Sequence, residues 1–139
     1  ELERLAPAAK EEEIPFPRWS RHWLADWHRR IHLPLWILPL ARIFVWLKVE
    51  GREQLEAVSG PRIFAANHQS YFDTPAILMA LPGRYRYRTS VAMAKEFFEA
   101  HFYPERYAWH RVLPNRLNYF LAALFFSGFP LPRTESGTK

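Results

Sequence analysis

Hydrophobic positions change their spacing several times along the chain, and each change predicts a different kind of element. Up to about Pro17 the sequence "ELERLAPAAKEEEIPFP" is charged and Pro-punctuated, with no apolar period. Residues 1–17 therefore read as a linker or tail, and Glu11–Glu13 as a solvated run. From Arg18 the period is helical. Trp19, Trp23, Trp27 and Ile31 recur every fourth residue with Leu24 on the same side, while Arg18, Arg21, His28 and Arg29 fall mostly opposite. Arg30 interrupts the apolar stripe. A Trp-rich face backed by arginine is the composition of a helix lying in a membrane interface. A helix packed on its own domain's core has the same period.

Leu33–Val49, "LPLWILPLARIFVWLKV", is more continuously apolar. A spanning helix needs roughly 20 such residues. This run is shorter and carries Arg42, Lys48, Pro34 and Pro39, so it predicts an interfacial or shallowly re-entrant element. Residues 18–48 thus form an amphipathic, interfacial helical region whose end, "IFVWLKVEG", passes into a strand closed by Gly51. Beyond it the elements shorten: a polar helix or loop in "REQLEAVSGP", a strand in "RIFAAN", and a helix in "TPAILMALP". Asp73 or Thr74 can cap that helix, and Pro75 suits its first turn. "RYRYRTSVAMAK" opens with Arg and Tyr at period two, which predicts a half-exposed strand. "EFFEAHF" and "NRLNYFLAALFF" predict helices, and "SGFPLPR" a final short strand or turn. Strands alternating with helices imply an α/β layered fold with a largely parallel sheet.

Composition narrows the chemistry. The formal charge of +5 favours anionic partners such as phosphate groups, anionic head groups or nucleic acid. Aromatic residues make up 17% of the chain, including six Trp. Absence of cysteine excludes disulfides, thiol catalysis and Cys-ligated metals. With Glu1 at its start and "RTESGTK" at its end, the chain reads as a piece of something longer.

The segment Asn67–Asp73, "NHQSYFD", carries the candidate chemistry. His68 and Asp73 are five residues apart, which on an unbroken helix leaves them about 140° apart and unable to pair. A strand end turning into a helix brings them together, with His68 in the loop and Asp73 at the helix start. There, amide donors and the helix dipole keep a carboxylate ionised. An ionised Asp beside an imidazole fixes its tautomer and stabilises the imidazolium formed when it takes a proton. Such a pair suits deprotonation of a hydroxyl that attacks an activated carbonyl. The plainer alternative is a satisfied loop histidine beside a helix-capping Asp.

The surrounding stretch "VEGREQL…GPRIFAANHQSYFDTPAILMALP" resembles the first conserved block of the glycerolipid acyltransferase family, which includes bacterial 1-acylglycerol-3-phosphate acyltransferases. The family's Asn-His, four residues, then Asp is filled by Asn67, His68 and Asp73, with Ser70 at the small hydroxyl position. "FFSGFPLPR" resembles the second block, and there Arg133 takes the place of the arginine that contacts the acceptor's phosphate. Ser127 stands where that block has Gly, and Pro132 where it has an acidic residue. The third and fourth blocks are expected after Lys139.

The resemblance implies an N-terminal part of an acyltransferase domain over residues 49–139, with the glycerol-3-phosphate acyltransferase-like layered fold, preceded by amphipathic membrane-associated helices. By the same resemblance, His68 is general base, Asp73 its orienter, and Asn67, Ser70 and Arg133 bind substrate. The acyl group comes from acyl-CoA or acyl carrier protein and passes to a lysophospholipid hydroxyl. No cofactor, metal or nucleic acid is implied, and the expected location is the cytoplasmic face of a membrane.

Rival readings rest on fewer residues. A Ser–His–Asp hydrolase would use Ser70, but the Gly-x-Ser-x-Gly elbow is missing. Zinc binding by His22, His28 and His32 fails because only His28 and His32 share a helical face and no third ligand is placed. Nucleic-acid binding through "RYRYR" lacks any recognised motif; those arginines, Arg84, Arg86 and Arg88, read as solvent-facing or as contacts to anionic lipid or donor phosphates. A non-enzymatic membrane-interface module explains the Trp/Arg helix but leaves "AANHQSYFDTP" unused. Phe97, Phe98, Phe120, Phe125 and Phe126 read as packing, and His101 and His110 as surface residues.

Overall fold

A computed structural model describes residues 16–67 and 70–131. Residues 1–15 of the expected 1–17 linker, His68 and Arg133 lie outside the described residues.

The first helical run extends through three segments: α1 (Trp23–His32), a π-helical turn (Leu33–Ile37) and α2 (Leu38–Phe44). His22 caps α1, its Nδ1 accepting the Leu24 N–H at 3.4 Å, and Asp26 accepts from Arg30 at 2.7 Å one turn on. Pro34 and Pro39 lack the N–H an α-helix needs, and the run passes between them through the wider turn instead of breaking. Val45 leaves the helix with extended backbone, but 45–50 pairs with no strand among the described residues, nor does the expected strand "RIFAAN". Strand pairing is non-local, and apolar composition by itself does not supply a neighbour.

Gly51, at φ +75°, turns the chain into the short polar α3 (Arg52–Ala57). Helix α4 (Asp73–Ala80) follows the motif, with Pro75 in its first turn as the sequence suggests. The period-two "RYRYR" does not form a strand. It forms a single helical turn, α5 (Gly83–Arg86), and its arginine has a local task. Arg86 donates to the carbonyls of Leu78 at 2.6 Å, Met79 at 3.3 Å and Leu81 at 3.1 Å, closing the carbonyl end of α4. A cation at those orphan acceptors outweighs an alternation only five residues long.

Strand β1 (Ala92–Ala94) leads through a 3₁₀ turn (Lys95–Phe98) to α6 (Glu99–Phe102). Helix α7 runs over Trp109–Phe126, starting six residues before the predicted segment and tolerating Pro114. It stops at Ser127, whose φ of +50° is left-handed, and β2 (Phe129–Leu131) then pairs parallel to β1 with Met93 opposite Pro130. A Cβ on Gly128 would meet Met93 Sδ at 2.5 Å, so any larger residue there would make the Met93 side chain shift.

Leu33, Leu38 and Leu78 form the core, flanked by Ile37, Met79, Tyr87 and Phe126. That cluster joins the first helical run to α4. Helix α1 lies on α7: Arg29 Nη1 donates to the Leu124 carbonyl at 3.0 Å, and Trp19 meets Phe120 with ring centres 5.5 Å apart. The helix is therefore inside out relative to ordinary patterning. Arg29, expected on the polar outer side, is only 5% exposed, whereas Trp23 is 68% and Trp27 54% exposed. The reason is geometric. The face opposite the tryptophans carries Ala25, small enough for close helix contact, and Arg29 brings a donor to the carbonyl end of α7. Among the described residues no helix is long and apolar enough to cross a membrane.

Candidate functional site

The extended segment 61–67 delivers Asn67 to the edge of a cleft, and α4 begins six residues later at Asp73. Between them the chain turns on its own polar groups. Ser70 donates its backbone N–H to Asp73 Oδ2 at 2.9 Å, and Ser70 Oγ accepts the Phe72 N–H at 3.1 Å. The Asp73 N–H donates to the Ser70 carbonyl at 3.1 Å. Asp73 is thus the first helical residue, and its carboxylate reaches back three residues to hold the turn before the helix. The expected cap at Asp73 or Thr74 does not form: Phe72 is the N-cap of α4 and makes no side-chain cap hydrogen bond. Ser70 holds the turn with its hydroxyl while remaining at the surface.

Asn67 and Asp73 line the same cleft, of about 720 Å³, together with Thr74, Ser90, Asn118 and Phe97. Its wall mixes amide, hydroxyl and carboxylate groups with apolar surface. Beside it lies a second, apolar hollow of about 460 Å³ between α2 and α4, floored by Ile37 and Phe126 and rimmed by Trp36, Leu40, Phe44 and Phe72. Tyr71, Thr74, Val91, Met93 and Ala122 line both. The two hollows are therefore adjacent, one largely apolar but carrying the carboxylate and a few other polar groups, the other almost wholly apolar and beside the exposed first helical run. Nothing in the periodicity points to the apolar hollow, because its walls come from α2, α4, β1 and α7, four separated stretches.

Other candidate residues are placed by packing. His101 is not a surface residue: its ring stacks on Tyr119 at 4.2 Å, and its Nδ1 is buried without a hydrogen-bond partner among the described residues. Burial, helped by Arg116, holds its pKa below the ordinary imidazole value. Burial likewise raises the Tyr119 phenol. His28 and His32 stack with ring centres 5.5 Å apart, and His32 Nδ1 accepts the Trp36 indole N–H at 2.9 Å. No group of three or more His, Asp or Glu among the described residues is arranged to hold a metal ion. Arg84 pairs with Glu56 at 2.9 Å and stacks on Tyr85, which Arg62 also covers, while Arg86 is committed to α4. Phe97 and Phe98 line the mixed cleft, and Phe126 lines the apolar one.

Compared with protein-family models, curated proteins and solved structures, the chain matches none.

Proposed function

We propose that the chain is part of an O-acyltransferase that moves a fatty acyl group from an acyl-CoA or acyl carrier protein thioester to the hydroxyl of a lysophospholipid such as 1-acylglycerol-3-phosphate. The observation that carries this reading is the junction of the two hollows: Asp73 and Asn67 are among the few polar groups of a mixed cleft that adjoins an almost wholly apolar one. A reaction between a polar hydroxyl and a carbonyl bearing a long hydrocarbon tail needs both surfaces within a few ångströms of each other.

In this mechanism His68 takes the proton of the acceptor hydroxyl. The oxygen attacks the thioester carbonyl and forms the new C–O bond. Collapse of the tetrahedral intermediate breaks the C–S bond, and the imidazolium returns its proton to the leaving thiolate. No covalent acyl-enzyme intervenes. Asp73 orients His68 and stabilises its charged form, and the turn bond from the Ser70 N–H keeps that carboxylate in place. Asn67 and Ser70 flank the reacting groups, and Arg133 clamps the acceptor's phosphate through its guanidinium fork. The apolar hollow takes the first part of the acyl chain, and the exposed tryptophans of α1 hold the protein at a membrane's cytoplasmic face, where both substrates reside.

Mass-spectrometric detection of the acylated product tests this. Full-length protein with a long-chain acyl thioester and lysophosphatidate should form phosphatidate, and Asp73→Asn should slow this by roughly 100- to 10,000-fold. A folded Asp73→Asn variant with unchanged turnover contradicts the reading. A non-enzymatic lipid-surface module is favoured by one observation, the outward tryptophans, and predicts membrane binding with no product at all.

A further inference from the structure

Helix α7 has an outward face that the sequence does not draw attention to, because Pro114, Asn115, Arg116 and Asn118 interrupt it. Placed on the helix, Trp109, Leu113, Leu117, Phe120 and Leu121 fall within an arc of about 120°. All five are exposed, Trp109 to 77% and Leu113 to 63%. Tyr119 and Ala123, which fall outside that arc, are buried. This stripe is continuous with the tryptophan face at the start of the chain through the Trp19–Phe120 ring contact.

Charge identifies what covers it. Over Arg18–Phe44 and Trp109–Phe126 there are seven arginines, Arg18, Arg21, Arg29, Arg30, Arg42, Arg111 and Arg116, against one acid, Asp26. Arg29 is buried against α7, which leaves six exposed arginines against that single acid. Asp26 is itself occupied by Arg30 at 2.7 Å. Exposed Trp and Leu set among arginines with almost no carboxylates match a layer that is apolar below and anionic above.

We propose that α7 and the first helical run together form one membrane-docking surface, selective for bilayers with anionic head groups, with α7 lying in the interface beside α1. A second protein segment, including more of this chain, would have to bring both a large apolar face and several carboxylates. A bilayer of phosphatidylglycerol supplies both. The proposal shares the membrane location of the acyl-transfer reading but not its chemistry, and its test reads no activity, so either can fail alone.

The chain has no cysteine, so Leu117→Cys gives a single site for an environment-sensitive fluorophore, with Trp23→Cys on α1 and Glu53→Cys on α3 as comparisons. With phosphatidylglycerol vesicles the emission should shift to the blue at positions 117 and 23 and stay unchanged at 53. No shift at 117, whether or not 23 responds, overturns the proposal and leaves α7 to a protein partner or to solvent. An unlabelled Leu113→Ser/Leu117→Ser chain alters only exposed positions, and circular dichroism checks that it is folded. Its partition to phosphatidylglycerol vesicles in co-sedimentation should fall roughly tenfold or more. Unchanged partition overturns the role of α7, and equal binding to phosphatidylcholine vesicles at low salt overturns the anionic selectivity.

Discussion

Ser127 shows how one residue can balance strain against a hydrogen bond. Its φ of +50° disfavours any side chain, yet its Oγ lies 3.1 Å from Ser90 Oγ and ties the end of α7 to the start of β1. Left-handed strain of about 1 kcal/mol is offset by a hydrogen bond of similar worth. Ser127→Gly should therefore change stability by less than about 1 kcal/mol, whereas Ser127→Val, β-branched at positive φ, should cost more than about 2 kcal/mol. Chemical denaturation of the two variants measures both. His101 makes a pH prediction. Its folded pKa lies below the ordinary 6.5, so below that pH the unfolded chain binds more protons than the folded one. Stability should fall as pH drops from 6.5 toward the lowered folded value. Replacing the ring by His101→Phe, which keeps the stack on Tyr119, should flatten that part of the melting-temperature profile. An unflattened profile places the titration elsewhere. At this scale the sequence showed Asp73 as a helix start, because a carboxylate just ahead of an apolar helical run implies one. It did not show His101, since burial by Tyr119 depends on how α6 meets α7.

At the scale of elements, α4 matters most, because it fixes the position of Asp73. Its C-terminal carbonyls are held by Arg86 alone among the described arginines. Arg86→Ala should cost about 1–3 kcal/mol of stability, since charged hydrogen bonds to partly buried acceptors are lost. Arg86→Lys should recover only part of this, because one ammonium cannot span three carbonyls as a guanidinium does. Denaturant midpoints of both variants check the order. The same element shows where local pattern fails: "RYRYR" has strand periodicity, but Arg86 is recruited by carbonyls five to eight residues earlier, a contact no period reveals. Helix α1 was legible as an amphipathic element with a tryptophan face. Which face points inward was not, because Arg29 is drawn in by the end of α7, 95 positions away. Ala122, on α7, lines both hollows, so Ala122→Phe should narrow their junction. Transfer from long-chain thioesters should then fall more than transfer from short-chain ones, as paired kinetic assays would show.

Across the molecule, charge and apolar surface are sorted. The first helical run and α7 carry exposed tryptophans and arginines with a single carboxylate, Asp26, while the mixed cleft and its apolar neighbour lie where α2, α4, β1 and α7 meet. The acyl-transfer proposal uses this arrangement as a lipid surface to work from and a place to join hydrocarbon to hydroxyl. The reading turns on the imidazole next to Asn67. The decisive measurement is the turnover of the full-length His68→Ala variant with acyl thioester and lysophosphatidate, its fold verified by circular dichroism. Loss of nearly all product formation, with membrane binding intact, is the predicted result. Turnover at the level of the unaltered protein would contradict the account.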